Sequence, residues 1–316
     1  MVSEEQILRF YLKVFSIFAI FIIYLFYIFF YREISLKNDF FYINKNENYK
    51  DIIDNNINDY TVNNFFYKIL LRFQYISKTK IHYGKFDLKK NKNFFEILKI
   101  IKQPSKYFIK ITIIEGWSQN DLDQVLSKFF DDYESIEYNE ALADTYFFNQ
   151  GSSFIAFHEN ISNKFFRLRD KYKNHYLLKR FSFEEIVIIA SLLEKEGINY
   201  EDKKKIYSVI INRLNKKMKL QIDASVIYSI TKGKKKFQRN LNYSDLKLKD
   251  PYNTYVYFGL PPKPISYVSN KTIELIFEDY KTDYLFYFYN SLEGKHIFSL
   301  NYKDHLNKLN EYKANK

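Results

Sequence analysis

Residues 182–197 read SFEEIVIIASLLEKEG, and this stretch decides the fold of the second half of the chain. Ser182 with Glu185 three positions later is typical of a capping box, which satisfies free backbone N–H groups where a helix begins. The residues that follow are apolar on nearly every side, as in a buried helix. Because Gly197 is a common residue at which a helix ends, the stretch predicts a buried helix that stops at Glu196.

Two acidic residues lie at the end of this predicted helix. Glu196 continues the apolar stripe of Ile189, Leu192 and Leu193, whereas Glu194 lies about 200° around the helix axis. The two carboxylates therefore cannot line one pocket wall. A carboxyl group that ends a buried stripe loses hydration, so its pKa is expected to rise, as a general acid near neutral pH requires. On this stretch alone the alternative stays open that the helix end has simply reached solvent.

The rest of this half predicts further short elements. EDKKKIYSVIINRL at 201–214 has helical apolar spacing and forms a compact hairpin with the first helix. Residues 119–180 are expected to be mostly helical and polar. Residues 219–316 alternate loops and short helices, with a strand at 284–290.

Upstream, the pattern predicts a small α+β module over residues 40–118. Residues 63–76 and 94–101 have helical apolar spacing. Residues 81–88 and 106–118 contain short alternating runs that indicate strands. Short helices mixed with short strands are typical of an α+β arrangement.

The first segment of the chain predicts a membrane anchor. Residues 14–31, VFSIFAIFIIYLFYIFFY, are 18 residues without a charge, and about 17 to 25 apolar residues cross a bilayer core. A cleaved signal peptide would have a shorter apolar region and a small-residue cleavage site, which the following REISLK does not offer. We therefore expect residues 14–31 to be a retained membrane helix that follows a short tail, residues 1–13; the later family resemblance implies that this tail is cytoplasmic. Flanking basic residues are balanced and leave the orientation open.

Composition narrows the classes of function. The chain has 316 residues, 47% of them hydrophobic, which suffices for a sizeable core. It has no cysteine and 5 histidines, so disulfides, thiolate zinc sites and cysteine nucleophiles are excluded. The net charge of +12 could indicate a nucleic-acid or anionic-lipid binder. The abundance of Lys, Asn, Ile, Phe and Tyr reflects AT-rich codons, however, and we expect no nucleic-acid partner.

Several spaced motifs together carry a family resemblance. The segments are IIEGWS (113–118), ASLLEKEG (190–197), VIINRLNKKMKLQIDASVIY (209–228), DPYNTYVYFGLPPKPIS (250–266) and GKHIFSLNYKDHLNKL (294–309). In this order they resemble the MltG family, the YceG-like endolytic lytic transglycosylases of bacterial peptidoglycan, and ordered motifs are more specific than one short pattern. The likeness runs from about Gly84 to the C-terminus.

The resemblance implies roles for particular residues. The catalytic glutamate of the family, the second acid of its E-K-E motif, falls on Glu196. Each other motif residue also has a structural alternative: an Asn-Thr pair can organise a turn, Gln and Asp can cap a helix, and a histidine can be structural. The residues that we expect in a shared substrate cleft are Gln221, Asp223, Asn253, Thr254, Tyr255 and His296.

The resemblance also implies an architecture and an activity. The expected fold is α+β: a transmembrane helix, a LysM-like module at 40–118 and a mixed α/β catalytic domain at 119–316. The expected reaction cleaves the β-1,4 bond between MurNAc and GlcNAc in peptidoglycan, leaves 1,6-anhydro-MurNAc ends, and uses no metal or cofactor. The catalytic part would face the outside of the cytoplasmic membrane, near peptidoglycan synthases. The alternative is a membrane-tethered peptidoglycan-binding or scaffold protein without catalysis.

Overall fold

The computed structural model describes residues 4–44, 47–58, 65–69, 71–72, 81–88, 92–149 and 152–316. The architecture is mixed α+β, as predicted. The chain divides into two compact units. Unit 1 comprises Met1–Lys110 and Phe147–Ser153, and unit 2 comprises Ile111–Tyr146 and Phe154–Lys316.

Unit 1 begins with a long apolar helix and continues with short strands and helices. Two antiparallel strand pairs, Glu33–Ile34 with Lys92–Asn93 and Phe40–Ile43 with Gly84–Asp87, hold it together. The predicted helix at 94–101 and the strand around Gly84 are confirmed; the predicted helix at 63–76 lies partly outside the described residues. The elements are α1 (Glu4–Phe30), β1 (Glu33–Ile34), β2 (Phe40–Ile43), α2 (Tyr49–Asn56), β3 (Gly84–Asp87), β4 (Lys92–Asn93) and α3 (Phe94–Ile101), followed by β5 (Phe108–Thr112) at the boundary with unit 2.

The helix α1 is long and apolar enough to cross a membrane, which is consistent with single-pass anchoring. Most of its side chains are exposed, but its last turn packs inside unit 1. Ile28 is fully buried in the core of this unit, and the ring of Phe29 lies 5.8 Å from that of Phe94. Asn93 donates a hydrogen bond to the carbonyl of Phe30 at 2.6 Å. The end of α1 therefore forms part of the unit that follows it.

Unit 2 is built around one buried helix. The segment 119–180 contains strands as well as helices, contrary to the expectation of a mostly helical segment. Tyr146 and Phe148 are buried while Phe147 between them is exposed, and burial of every second residue is the pattern of a strand. The elements are α4 (Gln119–Leu126), β6 (Leu142–Ala143), β7 (Thr145–Asn149), α5 (Phe154–Tyr172), α6 (Phe183–Glu196), α7 (Tyr200–Asn215), α8 (Asp223–Thr231), β8 (Val268–Ser269), α9 (Asn270–Phe277), β9 (Phe286–Asn290), β10 (Lys295–Ser299) and α10 (Tyr302–Ala314), with 3₁₀ turns at Tyr176–Lys179 and Asp245–Lys247.

The helix α6 is the buried helix that its sequence predicts. The capping box of Ser182 and Glu185 is present, and every side chain from Ile186 to Leu193 is buried. The helix ends before Gly197, whose φ of −82° is open to any residue. Glycine is required there for space, since an added Cβ would collide with the side chain of Lys203 on α7. The end of α6 is thus held tightly against its neighbour.

The hairpin of β9 and β10 brings distant side chains together. Its antiparallel register pairs Tyr287 with Phe298 and Tyr289 with His296. Because alternate residues of a strand share a face, these four side chains lie on one side of the hairpin.

Candidate active site

Glu196 is the last residue of α6, and its side chain is half-buried. The phenol of Tyr287 on β9 donates a hydrogen bond to Oε2 of Glu196 at 3.1 Å. Burial raises the pKa of Glu196 above its ordinary value, and the negative charge of Asp223 adds to the rise. The Tyr287 hydrogen bond, the positive charge of His296 and the backbone N–H of Ala224 oppose it without cancelling it. The carboxyl group therefore holds its proton to higher pH than an ordinary glutamate does.

The pKa of Tyr287 is also raised well above its ordinary value, by burial and then by the charge of Glu196. The phenol consequently remains protonated and is a permanent donor to the carboxylate.

Asp223 is the second carboxylate of the site. It is the first residue of α8, is exposed, and accepts a hydrogen bond from the Tyr255 phenol on Oδ1 at 2.6 Å. Burial, together with this hydrogen bond and the charge of Asp223, raises the pKa of Tyr255. The negative charge of Asp223 raises the pKa of Glu196, and the charge of Glu196 in turn raises the pKa of Tyr255. The three groups therefore share one site.

Gln221 lies two residues before α8 and is exposed. Its φ of 53° is in the left-handed region, and its N–H donates to the carbonyl of Thr254 at 3.1 Å. The buried guanidinium of Arg213 holds this segment through the carbonyl of Leu220 at 2.7 Å and the amide oxygen of Gln221 at 3.5 Å. Arg213 Nε also donates to the carbonyl of Leu285 at 2.7 Å, just before β9. The side chain of Arg213 therefore holds the segment before α8 and the segment before β9 next to each other.

The structure places Asn253 and Thr254 differently from the expectation of direct substrate contact. Their exposed fractions are 0% and 2%, and their polar groups bond to protein. The amide of Asn253 donates to the carbonyls of Leu246 and Leu248 at 3.1 and 2.9 Å, and the hydroxyl of Thr254 accepts from the N–H of Ile222 at 2.9 Å. These buried groups fix the loop that carries Tyr255 and the segment that carries Gln221, which is the turn-forming alternative.

His296 lies on β10 with 7% of its side chain exposed. Its Nδ1 is 2.8 Å from Oδ2 of Asp202 on α7, and the same oxygen accepts the N–H of Ile198 at 3.0 Å. This contact fixes the orientation of the imidazole ring. The ring also packs edge-on against Tyr287, with centroids 5.4 Å apart. His296 thus belongs to the site and supports its tyrosine.

Glu194 has not reached solvent, so for this residue the solvent-exposed alternative is wrong. Only 1% of its side chain is exposed, and Oε2 forms an ion pair with the ammonium of Lys203, itself 13% exposed. Oε1 accepts the N–H and the hydroxyl of Ser269, both at 2.9 Å. As predicted, Glu194 points away from Glu196; its partners anchor the end of α6 to α7 and to β8.

Three functional neighbours were not expected from the sequence: Tyr287, Arg213 and Asp202. Tyr287 is the one that a local signal could have found. The strand at 284–290 was recognised, and a strand that pairs with the His296 segment around Gly294 places a tyrosine opposite Phe298. Arg213 and Asp202 lie on α7, and their contacts depend on packing between helices. No group of three or more His, Asp or Glu side chains in the described part of the chain is arranged to hold a metal ion.

Comparison with known proteins identifies the family. The model of the YceG-like family matches residues 41–311, which is most of the chain. The chain belongs to the YceG-like family. Its matched region includes every residue of the candidate site.

Two relatives of this family member carry functional names. The endolytic murein transglycosylase of Bacillus subtilis (strain 168) is 36% identical over 147 residues, which are 46% of this chain and 39% of that protein. The endolytic murein transglycosylase of Streptococcus pneumoniae is 35% identical over 132 residues, 40% of this chain and 23% of that protein. The aligned part of the chain therefore spans well under half of either relative.

A solved structure shares the fold. The crystal structure of a putative YceG-like protein from Listeria monocytogenes superimposes with a TM-score of 0.55 at 22% identity, and covers 85% of this chain and 98% of that one. This similarity supports the YceG-like fold.

Proposed function

We propose that the protein is an endolytic lytic transglycosylase that cleaves the MurNAc–GlcNAc β-1,4 bonds of peptidoglycan. The observation that carries the proposal is the pairing of Glu196 with Tyr287: a half-buried carboxyl group with a raised pKa that accepts a hydrogen bond from a phenol on Oε2. The names of the two relatives supply the substrate class.

The reaction needs one carboxyl group acting twice. Protonated Glu196 gives its proton to the glycosidic oxygen as the bond from that oxygen to the anomeric carbon of MurNAc breaks. The Glu196 carboxylate then accepts the proton of the MurNAc 6-hydroxyl as this oxygen attacks the anomeric carbon. The products are a GlcNAc 4-hydroxyl end and a 1,6-anhydro-MurNAc end. No water is consumed, and Glu196 is protonated again.

The surrounding residues fit supporting roles. Tyr287 remains protonated and stabilises the carboxylate that forms after the first step. Exposed Gln221 and Asp223 can accept or donate hydrogen bonds to sugar hydroxyl and N-acetyl groups. The half-buried ring of Tyr255 offers an apolar face to a sugar. Asn253 and Thr254 position these residues and do not touch the substrate.

The substrate also sets the orientation in the membrane. Peptidoglycan lies outside the cytoplasmic membrane, so residues 32–316 would be outside and residues 1–13 inside. The anchor α1 would hold the active unit near new glycan strands and the synthases that make them, and cutting there would end the growing strand. We further propose that unit 1 contains the LysM-like, glycan-binding module of the family.

The experiment that tests the proposal is digestion of purified sacculi by the full chain in detergent, with mass analysis of the products. We expect strands of varied length that end in 1,6-anhydro-MurNAc, and none from Glu196→Gln. The matched control is Glu201→Gln, since the side chain of Glu201 is 72% exposed at the start of α7. Binding to sacculi without new ends would instead favour a tethered binder without catalysis.

A further inference from the structure

A cleft lies beside the candidate active site, within unit 2. This cleft, the Trp117 groove, has a volume of about 470 Å³ and is lined by residues 115–118 and 120–121, by Lys195, by one side of α8, and by residues 233 and 235–237. Lys195 directly precedes Glu196, and Ala224, which also lines the groove, places its backbone N–H near the Glu196 carboxylate. A ligand in the Trp117 groove would therefore lie next to a sugar bound at Glu196.

The groove is positively charged. Lys195, Lys235 and Lys236 line it, and in the part of the chain that the structure describes none of the three forms an ion pair. The two lining carboxylates are Glu115 and Asp121; Asp121 accepts the N–H and hydroxyl of Ser118 at 2.9 and 2.7 Å and keeps its negative charge. Three cations against two carboxylates leave the groove with a net positive charge, which suits a ligand that carries more carboxylates than ammonium groups.

Lys195 is exposed, so its ammonium group is accessible to a ligand in the groove. Partial burial lowers the pKa of this group, and the negative charge of the nearby Asp121 opposes the shift.

The aromatic wall of the groove is firmly held. Trp117 is half-buried, its carbonyl accepts the N–H of Tyr267 at 2.9 Å, and the N–H of Gly116 donates to the carbonyl of Tyr267 at 3.0 Å. Gly116 has a φ of 78°, and an added Cβ would lie 3.5 Å from the carbonyl oxygen of Glu194 at the end of α6. The backbone of the IIEGWS motif thus lies against the same helix end that carries Glu196.

We propose that the Trp117 groove binds the peptide stem that peptidoglycan carries on MurNAc, with its carboxylates on Lys195, Lys235 and Lys236 and its backbone against Trp117. The inference rests on the proposed function, since it takes peptidoglycan as the substrate. At neutral pH an unprocessed stem has more carboxylates than ammonium groups, and it is attached to the same MurNAc ring whose glycosidic bond Glu196 would cleave. The groove would select strands that still have their peptides.

The test measures binding, so that it does not depend on turnover. The full chain carrying Glu196→Gln is titrated in detergent with uncrosslinked glycan strands that carry stem peptides, and with the same strands after an amidase has removed the peptides. We expect tighter binding of the peptide-bearing strands. Adding Lys235→Ala and Lys236→Ala should reduce this preference about three- to ten-fold, as expected for two partly exposed charge pairs, and salt should reduce it further.

The matched control is Lys271→Ala on α9, which removes the same charge from an exposed position outside the groove and should leave the preference unchanged. Equal or undetectable binding of the two kinds of strand would overturn the inference, as would a preference that survives in the double lysine variant. The wild-type chain incubated with the same strands separates the two proposals: absence of anhydro ends contradicts the transglycosylase, whereas the stem-peptide preference is read from binding alone.

Discussion

The phenol of Tyr287 donates a hydrogen bond to Oε2 of Glu196 at 3.1 Å, joining the last residue of a buried helix to the second residue of a distant strand. The bond favours the charged form of the carboxyl group, while burial favours the neutral form more strongly. A group that must first give and then take one proton needs both influences. Tyr287 therefore tunes Glu196 as well as orienting it.

Replacing Tyr287 should shift the pH profile of kcat/KM to higher pH. Tyr287→Phe removes a hydrogen bond that lowers the pKa of Glu196, so that pKa should rise further. Because the reaction begins from the protonated acid, the alkaline limb of the kcat/KM profile should move to higher pH. The profile of the Tyr289→Phe variant, altered on the same hairpin but not bonded to Glu196, should stay in place. An unmoved alkaline limb in Tyr287→Phe would contradict this role.

Glu196→Gln should lose activity and keep its fold. An amide cannot exchange the proton, and a positioned acid or base is worth about 10² to 10⁴-fold in rate. Residual turnover above a tenth of the wild-type value would remove Glu196 from the mechanism.

The Glu196→Gln variant should also differ from the wild type in how its stability to unfolding depends on pH. Because the folded pKa of Glu196 is raised from 4.5, the wild type has the full benefit of the neutral carboxyl at low pH and loses it as pH rises through the raised pKa. Glutamine does not titrate. In urea unfolding, Glu196→Gln should therefore gain stability relative to the wild type as pH increases over this window. A constant difference would mean that burial does not raise the pKa.

The sequence predicted those parts of the site that depend on local patterns. The capping box of Ser182, the buried stripe of α6 and the position of Glu196 at its end all follow from residues within one helix. The roles of Asn253 and Thr254 could not be assigned this way, because whether an amide faces a sugar or a carbonyl depends on the surrounding loop. The partnership of Glu196 with Tyr287 also required the packing of the β9–β10 hairpin against α6.

Glu194 illustrates a second limit of local patterns. Its place at a helix end left solvent exposure open, because its partner Lys203 belongs to the next helix and Ser269 lies 75 residues away. Only the packed hairpin of α6 and α7 shows that this carboxylate is buried and paired.

Glu194→Gln should therefore lower stability. Breaking one partner of a buried ion pair typically costs about 3 to 5 kcal/mol, because the remaining charge stays buried and unpaired. Urea unfolding should show a loss in this range. The double variant Glu194→Leu with Lys203→Met should recover part of it, since an apolar pair leaves no buried charge. A change below about 1 kcal/mol in the single variant would show that water reaches the pair.

The packing of α1 predicts where the anchor can be cut. Deletion of residues 1–31 removes Ile28, which is fully buried in unit 1, and this loss should cost about 2 to 5 kcal/mol, as for truncation of a buried isoleucine. Deletion of residues 1–23 keeps Ile28 and the contact between Asn93 and Phe30. We expect limited proteolysis to cut unit 1 in the chain that lacks residues 1–31 and not in the chain that lacks residues 1–23. The chain that lacks residues 1–23 should still cleave isolated glycan in mild detergent, since the removed residues take no part in the chemistry.

Asp223 decides between a lyase and a hydrolase, because it is an acidic group whose negative charge acts on Glu196. With one acid, the 6-hydroxyl of the bound sugar is the nucleophile, and its attack gains from being held in place. A hydrolase would need Asp223 as a second carboxylate that activates water. We therefore expect Asp223→Asn to keep anhydro ends with a modest loss of rate.

Removal of a negative charge that raises the Glu196 pKa should move the alkaline limb of the kcat/KM profile to lower pH, opposite to the shift in Tyr287→Phe. Tyr255→Phe is the matched control, since it removes the hydrogen bond to Asp223 and keeps the charge. Wild-type products with reducing ends that carry oxygen from labelled water, lost in Asp223→Asn, would instead make Asp223 the base of a hydrolase.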